Sequence, residues 1–367
     1  MSLADVPRRI AIITGTSGNL GINIAYRLLE EVPEKFRLTI IVTSRTLVKA
    51  NKTIHQIKDY NEEKKLRPDG YLDFDYLLLD FSDMVSVLSA VHSLEENYTK
   101  IDYLFLNASQ NTHDHFDYIE ATKEMVTDPV RASTNPGYKI EKRGVKSKDG
   151  LGLVFQVNVF APYFFIEKIK ESLLAKSDDA RIIWISSILG RPENFSFNDM
   201  QLLNSGMAYG GSKRLVDLLH IATYKELREK YGIKQYLTHP GIFVSYTYAR
   251  FLNVFMYYGM LVLFLIARWL GSPWLNIDGW KGANAPIYVS VKADEEDDQS
   301  LKYGSATTKG GKEYLKTMTV DPTGKDDVLQ YVKTLKNEWD EKFKNQITDS
   351  RTVSYTHLRA HETSAHL

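Results

Sequence analysis

Tyr209 and Lys213 stand four residues apart in the run Tyr-Gly-Gly-Ser-Lys, residues 209–213. At that spacing two side chains share one face of a helix. A free tyrosine, with a pKa of about 10, is a poor acid–base catalyst at neutral pH. A neighbouring ammonium favours the phenolate and lowers that value, so the pair can pass a proton to a carbonyl oxygen while hydride arrives at the carbon. Such pairs also arise by chance in helices, and weight comes from what precedes this one. Ser186 and Ser187 end the apolar run RIIWISS (181–187). A hydroxyl at the carboxyl edge of a sheet can polarise a substrate carbonyl there. Asn158 is an amide inside VFQVNVFAPYFF (154–165), where it needs a polar partner or bends its helix.

A second constellation lies near the start of the chain. Thr14-Gly15-Thr16-Ser17-Gly18-Asn19-Leu20-Gly21 follows an apolar run and opens an amphipathic one. A strand-to-helix turn of small residues lets the backbone approach a pyrophosphate, and the helix N-terminus offers it free N–H groups. Gly15 and Gly21 meet the need for positive φ or close approach, and Asn19 stands where a third glycine is expected, Asn being tolerant of the left-handed region. A site for NAD places an acid about 20 residues further on. Here the next apolar run ends in Thr43-Ser44-Arg45-Thr46, without an acid. Arg45 can neutralise a 2′-phosphate, with Ser44 and Thr46 as donors, so the reading favours NADP(H) over NAD. Asp80, in LLLDFSD, is expected at the sheet edge where an adenine lies.

These residues need elements that bring them together. Short apolar runs alternate with longer amphipathic ones. Strands are predicted at Ile10–Thr14, Leu38–Thr43, Phe74–Leu79, Tyr103–Leu106, Arg181–Ile185 and Gln235–Thr238. Helices are predicted from Leu20 to Glu30, through Tyr60, and from Asp83 to Glu96. This alternation specifies βαβ units: an α/β fold, one Rossmann-type domain with a doubly wound parallel sheet. The polar stretch from Asp128 to Asp149 reads as a surface loop. Ser354–Leu367 breaks character, with three histidines and no apolar face, and reads as a disordered or artificial tail.

Composition narrows the partners. Lys plus Arg and Asp plus Glu are both 46, so no basic face argues for nucleic acid. There is no cysteine, which excludes disulfides, thiolate metal sites and Cys nucleophiles. The first apolar run is too short for a signal-peptide core. Phe251–Ala267 (FLNVFMYYGMLVLFLIA) carries no charge and is bracketed by Arg250 and Arg268, with Trp269 and Trp274 close by. It is expected to be an apolar, membrane-associating lid within 245–275 that lies on a membrane surface rather than spanning it.

Taken together, TGTSGNLG, the run Leu106-Asn107-Ala108-Ser109, Asn158, Ser187, Tyr209, Lys213 and Pro240-Gly241 resemble the short-chain dehydrogenase/reductase superfamily in type and order. The resemblance implies an enzyme with Asn158, Ser187, Tyr209 and Lys213 as its catalytic set. Ser186 remains the alternative to Ser187, because the gap from Ser187 to Tyr209 is long. It implies cofactor contacts from Gly15, Thr16, Ser17, Asn19, Leu20, Gly21, Ser44, Arg45, Thr46, Asp80, Asn107, Tyr209, Lys213, Pro240, Gly241 and Ser245. Lys213 would hold the nicotinamide ribose, and Asn158 a proton-relay water.

The runs TSRT, FDYLLLDFSDMVSVL, YGGSKRLVDLLHIATYKEL, LGSPWLNIDGWKGANAPIYV and KYGSAT are similar to the fungal 3-keto-steroid reductases. That similarity implies a dehydrogenase domain over 8–350 which reduces a sterol 3-ketone with NADPH during C-4 demethylation in ergosterol biosynthesis. The location it implies is the endoplasmic reticulum membrane or lipid droplets. The partners it implies are the other C-4 demethylation enzymes and a membrane scaffold protein, with a homodimer left open. Reduction of another lipid ketone, a 3-ketosphinganine or a 3-ketoacyl chain, and a non-catalytic NADP(H)-binding partner are the competing readings.

Overall fold

The computed structural model describes residues 6–244 and 254–363, the side chains of residues 255 and 345–363 excepted. It divides into two units, 1–325 and 326–367.

The first unit is built on an eight-stranded sheet. Its strands are β1 (Arg8–Ile13), β2 (Arg37–Ser44), β3 (Leu72–Leu78), β4 (Tyr103–Leu106), β7 (Arg181–Ile185), β8 (Lys234–His239), β11 (Lys302–Thr307) and β12 (Glu313–Met318). Their spatial order is β12-β11-β8-β7-β4-β1-β2-β3. Every pairing is parallel except β11 with β12. The expected doubly wound sheet is therefore present, each expected strand lying within two residues of its predicted ends. Central strands such as β4 and β7 are buried along their length, because helices cover both faces, and edge strand β3 is only part-buried. The strand order reverses between β1 and β4, and the crevice at such a reversal is where open α/β sheets bind ligands.

The stretch after β4 departs from expectation. Strands β5 (His113–Phe116) and β6 (Lys139–Glu141) form an antiparallel pair, and helices Tyr118–Thr127 and Pro129–Thr134 lie between them. The Asp and Pro residues that read as loop signals are helix starters. Asp117 Oδ1 accepts from the Ile119 and Glu120 N–H groups, Asp128 Oδ1 accepts from Arg131 N–H, and Pro129 occupies the first turn.

The apolar run forms the helix Val254–Trp269, and residues 251–253 lie outside the described residues. None of the described helices is long and apolar enough to cross a membrane. The two flanks of the segment are tied to each other: Ile242 N–H donates to Trp274 O at 2.7 Å and Val244 N–H to Ile277 O at 2.9 Å. They form the small parallel pair β9 (Ile242–Phe243) and β10 (Leu275–Ile277). A single crossing would separate those flanks by the thickness of a bilayer. One side of the helix is used up by the fold, since Phe264 and Ala267 pack with Leu275, Val130 and Ile242. Arg268, expected at an interface, is instead 6% exposed and its Nε donates to Leu275 O at 2.9 Å.

The second unit is one helix, Lys325–Thr363. Val328, Val332, Leu335, Trp339 and Phe343 recur at helical spacing along it. Its backbone stays helical into the run from Ser354 that reads as irregular. Elongating an existing helix costs far less than nucleating one, and Leu358, Arg359, Ala360 and Glu362 are good formers. Residues 364–367 lie outside the described residues.

Candidate active site

The glycine turn is knitted to the ends of three strands. Gly15 has φ +65°, and a Cβ there would meet Ala108 Cα at 3.1 Å. A Cβ on Gly21 would lie 2.4 Å from Gly15 O and 2.8 Å from Thr16 Cα, so the helix can start this close to the turn only with glycine. The Thr14 hydroxyl accepts from Asn107 N–H (2.8 Å) and Ala108 N–H (2.9 Å), and Asn107 Nδ2 donates to Thr14 O at 2.8 Å. Thr43 Oγ1 accepts from Gly15 N–H at 2.9 Å, which brings Ser44-Arg45-Thr46 beside the turn.

Two expected cofactor residues have side chains already engaged by the fold, which leaves only their main chain for a ligand. The Thr16 hydroxyl is buried between Ile13 O and Thr43 N–H, and the Leu20 side chain lies in the core. Asn19 is not left-handed: it is the first residue of the helix Asn19–Glu31, and its Nδ2 donates to Val244 O at 2.6 Å. The third glycine is dispensable because the helical conformation begins at this residue.

The turn fits a bound pyrophosphate. Gly18 caps the helix without a side-chain bond, and no acid stands in the first turn. The N–H groups of that turn and the positive end of the helix dipole are thus left for a ligand. Arg45 is exposed and has no hydrogen bond or ion pair among the described residues. Thr46 N–H donates to Ser44 Oγ at 3.3 Å. Asp80 Oδ1 accepts from Ser82 N–H and Oγ at 2.9 and 2.7 Å, which fixes the carboxylate at the end of β3. On the far side, Gly241 has φ +65° and packs against Trp274 O, while Asn276 Nδ2 donates to Pro240 O at 2.7 Å. Ser245 lies outside the described residues.

The four chemistry-bearing residues converge at the ends of β4 and β7. Tyr209 and Lys213 open the helix Ala208–Tyr231. Tyr209 N–H donates to Glu141 Oε2 at 2.9 Å, so a carboxylate from β6 caps the helix. Gly210 and Gly211 are small because Asn194 and Leu202, from the long stretch after Ser187, pack on them: added Cβ atoms would meet Asn194 Nδ2 at 2.9 Å and Leu202 Cδ2 at 2.6 Å. The extra residues between Ser187 and Tyr209 thus fold back onto the helix that carries Tyr209 and Lys213.

The two serines are separated by environment. The Ser186 hydroxyl is 2% exposed and donates to Asp217 Oδ1, whereas the Ser187 hydroxyl bonds that of Tyr209. Asn158 sits in a π turn, Gln156–Phe160. Its Oδ1 accepts from Gln110 N–H (2.7 Å), and its Nδ2 donates to Gln110 O (2.9 Å) and Ser212 Oγ (2.9 Å). The bend that this amide was expected to cause is a π-bulge, a device common at functional sites.

The electrostatics depart from expectation. Burial pushes the Tyr209 pKa up to about 12; hydrogen bonds to Ser187 and Ser109 pull it down, and the Glu141 carboxylate adds to the rise. Lys213 does not lower it in this geometry: its Nζ donates to Ile185 O at 2.8 Å and lies 5.5 Å from the Tyr209 ring centroid. Tyr209 is thus a neutral phenol, the form that donates a proton. Lys213 is pushed down to about 8 by burial, with Asp217 opposing and Lys302 assisting.

Several residues of this arrangement escaped sequence reasoning. Ser109 was visible as a hydroxyl in the run after β4. Asp217 continues the 209–213 face by one more turn. Glu141 and Lys302 carry no local signal, because only the tertiary fold brings them near.

Comparisons with known proteins bear on the family and the fold. Residues 9–250 match the short chain dehydrogenase family. The chain is 53% identical to 3-keto-steroid reductase ERG27 of Saccharomyces cerevisiae, over 94% of this chain and 99% of that one. It is 52% identical to 3-keto-steroid reductase ERG27 of Candida albicans, over 93% and 97% of the two chains. The 3-keto-steroid reductase of Yarrowia lipolytica is 37% identical, over 92% and 97%. Among solved structures, Pseudomonas aeruginosa RhlG in its NADP active-site complex shares the fold at a TM-score of 0.53 and 20% identity, covering 83% of this chain and 96% of that one. With its family model matched over most of the first unit and close relatives along nearly its whole length, the chain belongs to the short-chain dehydrogenase family.

Proposed function

We propose that the protein is an NADPH-dependent 3-keto-steroid reductase that reduces the 3-ketone of a sterol to the 3-hydroxyl. The observation that carries this reading is the 53% identity, over 94% of the chain, to a 3-keto-steroid reductase. NADPH, when bound, supplies the hydride to the carbonyl carbon.

The chain's own residues do the rest. The N–H groups at the start of the helix Asn19–Glu31 hold the pyrophosphate, and Arg45 with Ser44 and Thr46 takes the 2′-phosphate. Ser187 donates a hydrogen bond to the substrate carbonyl oxygen. Tyr209, neutral because it is buried, gives that oxygen its proton as negative charge develops. Ser109 offers a second hydroxyl to Tyr209 and holds its orientation. Lys213 binds the nicotinamide ribose, and Asn158, in the π turn, holds the water that relays a proton from solvent back to Tyr209.

Turnover of NADPH by purified protein, with a 4-methyl 3-keto sterol in detergent, tests the reading. NADH and a 3-ketosphinganine are the controls. Oxidation with the ketosphinganine but not the sterol would keep the reductase and discard the sterol. Burial pushes the Lys213 pKa down to about 8 in the free protein, and its charged form lies below that value. Because kcat/KM reports the free enzyme, kcat/KM for NADPH is expected to fall as pH rises through about 8. A profile flat well beyond that pH would remove the Lys213 charge from the mechanism.

The helix Val254–Trp269 is the membrane-facing lid of this reading, supported by its exposed face. Val254, Tyr258, Val262 and Trp269 are 67%, 62%, 55% and 68% exposed. Charges placed at Val262 and Trp269 are expected to abolish flotation with liposomes. The same change at Leu263 tests folding instead, because Leu263 is 7% exposed. Unchanged flotation of the Val262/Trp269 variant would refute the lid. The resemblance to the fungal reductases supports a place at the endoplasmic reticulum or lipid droplets, beside the other enzymes of C-4 demethylation and their scaffold.

A further inference from the structure

Two buried ions lie behind the catalytic set, and the mechanism above does not use them. Asp217 is one helical turn beyond Lys213, and Lys302 is the first residue of β11. Their side chains are 2% and 3% exposed, and Lys302 Nζ meets Asp217 Oδ2 at 2.7 Å. Each contacts the strand end that carries the catalytic serine. Lys302 Nζ donates to Ser187 O at 2.6 Å, and Asp217 Oδ1 accepts from the Ser186 hydroxyl. With Lys213 Nζ on Ile185 O at 2.8 Å, three successive residues at the end of β7 are tethered by three charged side chains.

Two of those charged side chains belong to the catalytic helix and one to β11, so the tethers lock three separate elements at the site. Replacing a buried ion pair by apolar side chains of similar volume is often neutral or stabilising for folding. A buried pair such as this one is therefore weak evidence of a stabilising role. Its hydrogen bonds converge instead on the peptide whose side chain must face Tyr209. We propose that Asp217 and Lys302 are positioning residues of the reductase, which set the angle of the Ser187 hydroxyl towards Tyr209 and the height of Lys213. The last parallel strand thereby takes part in catalysis through Lys302, without touching substrate. This inference rests on the assignment of Tyr209 and Ser187 given above.

The test compares Asp217→Leu/Lys302→Met with the parent enzyme and with Tyr209→Phe. It measures kcat, NADPH affinity by fluorescence titration, and Tm. The double variant removes both charges of the pair together, so neither is left buried without the other. It is expected to keep Tm and NADPH affinity while kcat falls roughly 10- to 100-fold, the cost of an ångström-scale misplacement. Parental kcat in the double variant, with Tyr209→Phe inactive, overturns the positioning role alone. Activity surviving in Tyr209→Phe overturns the catalytic assignment beneath it. Should the double variant fail to fold, Asp217→Asn/Lys302→Met also removes both charges of the pair and leaves an acceptor for the Ser186 hydroxyl, and its kcat is expected to fall with Tm retained. Parental kcat in Asp217→Asn/Lys302→Met also overturns the proposal.

Discussion

Tyr209→Phe is expected to lower kcat by about 10²- to 10⁴-fold, the usual contribution of a positioned general acid. That is roughly 3–5 kcal/mol of transition-state stabilisation. The substitution removes one oxygen and keeps the ring under Lys213 Nζ. The helix cap survives as well, since Glu141 accepts from the Tyr209 main-chain N–H and not from the hydroxyl. NADPH affinity and Tm should therefore stay near parental values, so the loss can be read as chemistry rather than misfolding. Steady-state kinetics and fluorescence titration together make the check. A phenylalanine variant that still reduces the sterol at the parental rate would show that another group delivers the proton. Ser187 and Ser109 are the neighbours from which it would have to come.

Arg45→Glu is expected to raise the KM for NADPH by roughly 10- to 100-fold and to leave that for NADH almost unchanged. A hydrogen bond to a charged group is worth about 1.5–3 kcal/mol, and every 1.4 kcal/mol is tenfold. The replacement also sets a carboxylate against the 2′-phosphate. Arg45 is exposed and bonds to no described residue, so the fold loses nothing measurable. The ratio of kcat/KM for the two nucleotides is the readout. A ratio unmoved by the charge reversal would place the 2′-phosphate elsewhere and return the choice between NADP and NAD to an open question.

Much of this site was legible in the sequence because its motifs are local. TGTSGNLG, LNAS, the serine pair, YGGSK and Pro-Gly each occupy a strand end or a helix start. The alternation of buried strands and amphipathic helices places those ends along one edge of a parallel sheet. The chain order alone therefore specified the doubly wound fold, the glycine turn and the Tyr209–Lys213 face. It also specified the absence of an acid after β2. What it could not resolve depends on contacts distant in sequence. Ser186 and Ser187 are neighbours of one type, and only Asp217 on one side and Tyr209 on the other tell them apart.

Glu141 and Lys302 lie 68 and 85 residues from the helix positions they meet, Tyr209 and Asp217, so no periodicity links them. The stretch from Asp128 read as loop because capping residues and turn residues are the same amino acids. The sign of the Tyr209 shift was likewise a tertiary matter. An ammonium four residues away suggested a lowered pKa, but burial raises it instead. Local composition and spacing thus determined which groups meet at the site and the chemistry they can share. The packed fold alone decided their protonation, their orientation and which of two adjacent serines faces the tyrosine, because desolvation and hydrogen-bond partnership are properties of surroundings that no short segment contains.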